Sequence, residues 1–347
     1  GKVGGTSVCS TGFAAVGSDL QKEAGNTRNI DETFTYLMNY CLWRADASVV
    51  YNVLQNSADT VNTIQGYWAQ TDNPGVTKVS APRWAHDTGK GTAKFDVLYD
   101  NFLEPAGVNV MLETTAHTLL MDGQAVTGVA ATRQDGTEVT VNAQAVLVCT
   151  GGFGGNKEML EEYFGHSHFY LNGLSSNVGD GLNMCLKAGA ILSDEVEPHL
   201  AEFCSSEKLD FYAGYMKFIN QAGFLALDPS GERFVNEEFF VTEALAKGAS
   251  ALRRAGYAYI IFTEQDLNNM VEKGLWGILS EETIASLNYR ARIVVPSYYT
   301  LRDELDAALA AGEAWTADTL EGLGEAIGLD AATYNASIED YLTVLET

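Results

Sequence analysis

Apolar residues recur every three or four positions along two early stretches of the chain, residues 31–44 and 47–68. In the second stretch Val50, Val53, Leu54, Val61 and Ile64 share one face, the spacing of an amphipathic helix. Asn29 and Asp31 are residue types that cap a helix start, so both stretches are predicted as helices. A third helix is predicted over residues 92–105. Past residue 108 the period changes to two. "HTLLM", "AVTGVAATR" and "EVTVN" are separated by Asp122-Gly123 and Asp135-Gly136, dipeptides favoured by tight hairpin turns. Residues 118–141 are therefore predicted as a three-stranded meander. The flanking runs "VNVML" and "AVLVC" lack polar alternation, as strands covered on both faces do. Together they predict a parallel sheet whose crossover is the meander.

Farther on, "NKEMLEEYF" reads as a short helix, and the Gly-Asp-Gly of "VGDGLNMCLKAGA" opens another. From residue 198 the pattern is mixed. "GFLALDPSGERFVNE" reads as a hairpin, "YAYIIFTEQDLNNM" as a strand running into a helix, and residues 301–311 and 316–327 as short helices before a last helical stretch. The fold class is α/β in the first part and α+β overall.

Composition narrows the partners. With 347 residues, 46% of them apolar, the chain can bury one large core or two. A net charge of −25 sets the protein's own field against phosphate, which argues against nucleic-acid and anionic-membrane partners. No apolar run reaches the roughly 18 to 20 residues of a membrane span. The five cysteines are odd in number and never spaced as C-x-x-C, so they read as buried small hydrophobes, without a disulfide frame or a zinc site. "HSH" at His166 and His168 has no further ligand nearby, and no metal is predicted.

The chemistry-bearing stretch is "VLVCTGGFGG", residues 146–155. An apolar run that ends in Thr150-Gly151-Gly152 brings bare backbone N–H groups to a strand end, where a phosphate or a ring can approach. "GKVGGTS" at residues 1–7 also pairs glycines with hydroxyls. No G-x-G-x-x-G follows a strand: "GLGEAIG" has the wrong spacing, and "GKGTAK" lacks the P-loop ending.

In order along the chain, G-G-T-S, the meander, T-G-G-F, G-D-G and the G-x-R-F-x-N-E of Gly231 to Glu237 resemble the flavoprotein of the fumarate reductase and succinate dehydrogenase family. They are similar to its soluble flavocytochrome-like and urocanate-reductase-like members, and related to 3-ketosteroid dehydrogenases. The resemblance implies FAD as cofactor. It places the isoalloxazine and pyrophosphate along Gly4, Gly5, Thr6, Ser7 and Gly12, the adenine near Ala116, and the pyrophosphate side near Thr150, Gly151 and Gly152. Asp180, beside Gly179, would approach the flavin. It further implies a Rossmann-like FAD-binding domain with a β-meander over residues 1–197, a capping domain over 198–297, and late capping-domain helices over 298–347 that lead back to the first. The family's first strand and last flavin segment would lie outside residues 1–347, so the resemblance implies a partial chain, inactive alone. Exported soluble relatives give a lean toward an extracytoplasmic site.

One departure changes the expected chemistry. Fumarate reducers relay a proton through T-E-A-x-R and through an Arg placed four residues after the Glu of G-x-R-F-x-N-E. Here Met216, Lys217 and Asn220 hold the Thr, Glu and Arg positions of the first element, and Val241 holds the last. His199 falls near the family's carboxylate-binding His. Lys217 is a candidate cation for an anionic substrate, and Glu243 and Tyr215 are candidate proton donors. The expected activity is FAD-dependent reduction of an activated C=C bond in a small-molecule enoate larger than fumarate and carrying one anionic group, by flavin hydride and a protein acid, with an unspecified electron donor. The alternatives are a ketosteroid-type dehydrogenase and a flavin-free binding fragment.

Overall fold

The computed structural model describes residues 3–10, 12–73, 75–80, 85–88, 93–171, 173–193, 196, 215–242, 248–286 and 297–345. The chain forms two compact units: Gly1–Gly165 with Leu171–Glu197, and His166–Tyr170 with Pro198–Thr347.

The first unit opens with a 3-10 turn at Gly5–Cys9, strand β1 (Gly12–Ala14) and helix α1 (Asp19–Glu23). Helix α2 (Ile30–Tyr40) starts at Asn29, whose side chain accepts from the Glu32 amide while Glu32 reaches back, a capping box. Helix α3 is Ala47–Trp68, capped by Asp46. Leu54, Val61 and Trp68 of α3 and Met38 of α2 are buried, while Val53 of the predicted stripe is exposed and Val50 and Ile64 are half-buried, so the buried face of α3 coincides with that stripe only at Leu54 and Val61. Strands β2 (Lys78–Ser80) and β3 (Ala85–Asp87) pair antiparallel, and β3 also pairs with β1. Helix α4 (Ala93–Leu98) runs into a π-helical turn, Tyr99–Leu103.

The meander is β4 (Thr114–Asp122), β5 (Ala125–Arg133) and β6 (Glu138–Asn142), in that order and antiparallel. It is longer at its first strand than the expected residues 118–141, and its two turns fall at Gly123 and Gly136, both with positive φ. A bulge follows Ala116, which pairs with Ala131. Helices α5 (Lys157–Phe164) and α6 (Asp180–Lys187) complete the unit, and α6 lies against β4.

The expected parallel sheet is not found among the described residues, where every strand pair is antiparallel. Residues 108–112 and 145–149 form no strand. A strand exists through the ladder with its neighbours, and neither segment has one; Leu147 is accordingly 88% exposed. The cysteine reading is also corrected, since Cys41 and Cys149 are exposed. Cys41 follows the end of α2 and Cys149 lies on the unpaired segment, so neither position faces a core.

In the second unit the 3-10 helix Met216–Ala222 leads to β7 (Leu225–Leu227). After the Asp228 turn the returning chain makes a single bridge, Leu227 to Arg233, so the expected hairpin is minimal. Helices α7 (Glu238–Thr242) and α8 (Ala249–Ala255) precede β8 (Tyr259–Ile261), which is the main partner of β7. Helix α9 (Glu264–Lys273) follows with a Thr263/Asp266 capping box, then α10 (Glu281–Ser286), α11 (Leu301–Ala311), α12 (Leu320–Ile327) and α13 (Ala331–Leu345). Three apolar clusters hold the described part of the unit, the smallest being Val241 with Ile284. Phe218, Leu267, Met270, Leu275 and Leu301 form the largest; Leu225, Leu227, Tyr334 and Ile338 seat α13 on β7.

Candidate functional site

In the first unit two glycine turns converge on one side chain. Gly4 and Gly5 take positive φ of 118° and 51° and start the 3-10 turn that carries Thr6 and Ser7. Gly151 has φ 79°, a conformation that an L side chain adopts at a cost. Asn177 stands between the two turns. Its Nδ2 donates to Thr6 Oγ1 at 3.1 Å, and a Cβ added to Gly151 would meet the Asn177 amide at 3.2 Å. Backbone bonds close the same corner: the Gly155 amide donates to the Asn177 carbonyl (2.9 Å) and the Gly179 amide to the Gly152 carbonyl (3.2 Å).

Helix α6 begins at this corner. Gly179 takes φ 89° ahead of it, and Asp180, exposed, is its first residue, where an anion suits the helix dipole. A Cβ on Gly181 would collide with Thr150 Oγ1 and Val148. The glycine therefore seats the helix directly on the segment that ends in Thr150. Gly5 and Gly152 differ: a Cβ there would meet nothing within 4 Å. Their backbones face open space beside the exposed hydroxyl residues Thr6, Ser7 and Thr150. Bare amides, hydroxyl donors and a helix start fit the pyrophosphate and ring edges of FAD.

Two expected contacts have a local structural explanation. Gly12 lies in β1 opposite Asp87, and a Cβ there would strike the His86 carbonyl, so the close β1–β3 approach already requires glycine. Ala116 sits half-buried beside the β4 bulge.

In the second unit the described candidates surround Glu304 of α11. The Tyr215 and Met216 amides donate to its carboxylate at 2.8 to 2.9 Å, and the Thr300 hydroxyl donates to it as well. The Tyr215 ring stacks on Tyr298 with centroids 4.8 Å apart and planes 8° apart, while Tyr299 meets it edge-on at 5.5 Å. Hydrogen bonding with Tyr299 holds the Tyr215 phenol above its ordinary range. Burial pushes Tyr298 up, aided by the neighbouring Tyr215. Tyr298 is wholly buried and its hydroxyl has no partner among the described residues. His199 and Glu243 lie outside the described residues. Lys217 belongs to the Met216–Ala222 helix, and its side chain lies outside them too.

The cationic and apolar neighbours decide what the unit can do. Arg233 is committed: it forks onto the buried Glu237 (2.7 to 3.1 Å), bonds Asp340 at 2.7 Å and lies over the Tyr341 ring. Glu237 and Asp340 hold its guanidinium well above its usual range. Val241 is buried against Ile284 and Leu279, and no proton can come from it. Among the described residues no group of three or more metal-ligating side chains gathers, and no helix is long and apolar enough to cross a membrane.

Asn177 and Glu304 are the residues that sequence reasoning missed. Asn177 stands two residues ahead of the Gly-Asp-Gly motif, a position that could have flagged it. Glu304 had no such signal, because 89 residues separate it from Tyr215.

Known proteins bear on the site in two ways. The chain is 28% identical to a vinyl phenol reductase of Lactiplantibacillus plantarum, across 97% of this chain and 69% of that protein. It superposes on the open conformation of a flavocytochrome c3 fumarate reductase with a TM-score of 0.54 at 18% identity, covering 98% of this chain and 55% of that one. It also superposes on the 3-ketosteroid-Δ4-(5α)-dehydrogenase of Rhodococcus jostii RHA1, with a TM-score of 0.54, 18% identity and coverage of 97% and 69%. The chain thus spans between about half and two thirds of these proteins. The family described as the FAD binding domain matches residues 1–343, and the chain belongs to that flavoprotein family.

Proposed function

We propose that the chain forms the flavin-holding and capping parts of an FAD-dependent reductase that saturates an activated carbon–carbon double bond, with fumarate excluded as its substrate. The observation that carries the exclusion is Val241, buried in an apolar cluster where fumarate reducers place a proton-donating Arg. Arg233 cannot move into that role because Glu237 and Asp340 hold it. Bound FAD would supply the hydride. Gly4 to Ser7, Thr150 to Gly152, and Gly179 with Asp180 would hold it, with Gly12 and Ala116 alongside.

The proton falls to Tyr215 or Glu243. The Tyr215 phenol is protonated at neutral pH, as an acid donor must be, and its hydrogen bond with Tyr299 raises it and so makes it the weaker acid of the two. His199 and Lys217 would take a single carboxylate or comparable anion, which makes the substrate mono-anionic. Residues 198–297 would serve as the capping domain, and an external reductant would recharge the flavin. The family resemblance gives a lean toward an extracytoplasmic location. The relative that acts on vinyl phenol supports a substrate with an aromatic ring.

The test is viologen-linked reduction of fumarate and of cinnamate by the flavin-loaded protein. Cinnamate is expected to be the faster substrate by on the order of a hundredfold or more, the scale of a lost proton donor. Faster turnover of fumarate would overturn the proposal.

A further inference from the structure

Tyr215, Tyr298 and Tyr299 are a built aromatic cluster with one open side. Tyr298 is 0% exposed and backs the Tyr215 ring in near-parallel contact, while Tyr299 is 71% exposed and stands edge-on to it. The cluster is held in place. Glu304 grips the backbone at Tyr215 and Met216, and the Tyr298 amide is bonded to the Met270 carbonyl of the core. An exposed ring on a loosely held backbone would lose freedom on meeting a ligand; one fixed beforehand loses little. The position matters as well. Tyr215 immediately precedes the Met216–Ala222 helix, the segment in which Lys217 and Asn220 replace the family's proton-relay side chains.

We propose that Tyr215 and Tyr299, backed by Tyr298, form a recognition shelf for an aromatic ring of the substrate, so that aryl-substituted alkenes are selected over small aliphatic enoates. This rests on the reductase reading above and names its substrate class. Offset or edge-to-face packing against two phenols gains both from buried apolar area and from the complementary ring edges and faces. A saturated ring of the same size gains only the first. Stacking of this kind changes affinity by several-fold to about tenfold for each lost ring.

The experiment compares wild type, Tyr299→Ala and Tyr299→Phe as intact, flavin-loaded proteins. The ratio of kcat/KM for cinnamate to that for acrylate is expected to fall about tenfold in Tyr299→Ala. It should stay within about twofold of wild type in Tyr299→Phe, which keeps the ring. In parallel, phenol and cyclohexanol binding is followed by saturation-transfer NMR, which needs no turnover. Preferential phenol binding that Tyr299→Ala abolishes would support the shelf even if no alkene were reduced, in which case the reductase reading alone would fall. Equal phenol binding and an unchanged selectivity ratio in Tyr299→Ala would overturn the shelf.

Discussion

The two units carry their function in different ways. In the first, the candidate site is made of backbone: Gly4, Gly5, Gly151 and Gly179 adopt positive φ, and a few side chains such as Asn177 pin the turns together. In the second, the candidate site is made of side chains set by long-range packing, Tyr215 against Tyr298 and Glu304. A glycine turn is legible one residue at a time because its geometry is local. A tyrosine shelf assembled from segments about 80 residues apart is not.

The contrast predicts different failures. The second unit should break through its charge cluster. Arg233→Met leaves Glu237, with a side chain only 4% exposed, as an unpaired buried charge, and should cost about 3–5 kcal/mol. Calorimetry of the single variant and of the double Arg233→Met/Glu237→Met variant checks this. The double variant is expected near wild-type stability, because neither charge is then stranded.

The first unit should break through a methyl group. Gly181→Ala drives a Cβ into Thr150 Oγ1 and Val148 and should cost about 1–3 kcal/mol as overpacking. FAD retention after gel filtration is expected to fall more steeply than Tm, because the displaced residue is Thr150 at the site. Equal losses in both would blur the distinction between the units.

The smallest effect is confined to alkaline pH. Burial raises the Tyr298 phenol above the ordinary tyrosine value of 10.0. The folded protein therefore keeps a proton that the unfolded chain gives up. Stability contributed by that proton is fully present below about pH 10 and is lost as pH rises above it, with a slope of up to about 1.4 kcal/mol per pH unit. In urea titrations, Tyr298→Phe should flatten this limb. It should not lower stability at neutral pH, because it removes a buried hydroxyl that has no partner among the described residues.

Much of the fold could be read from local signals. Helix Ala47–Trp68 falls where the apolar stripe predicts it, and the two Asp-Gly turns set the meander. What failed depended on neighbours. "VNVML" and "AVLVC" have the composition of central strands, but composition does not supply a hydrogen-bonding partner, and among the described residues neither has one. The site divides in the same way. Thr150 to Gly152 and the Gly-Asp-Gly start of α6 were visible as motifs, while the Asn177 bridge to Thr6 spans 171 residues and leaves no periodic trace.

That bridge is also the most direct point of attack on the flavin site. Asn177→Leu keeps approximate volume but removes the bond to Thr6 Oγ1 and sets a branched carbon side chain beside Gly151. Titrating FAD into the apoprotein and following flavin fluorescence gives the Kd directly. The expected result is a Kd raised about tenfold or more, the scale of one lost hydrogen bond plus a displaced turn, with the thermal midpoint little changed. A Kd equal to that of wild type would contradict the assignment of this corner as the FAD cradle.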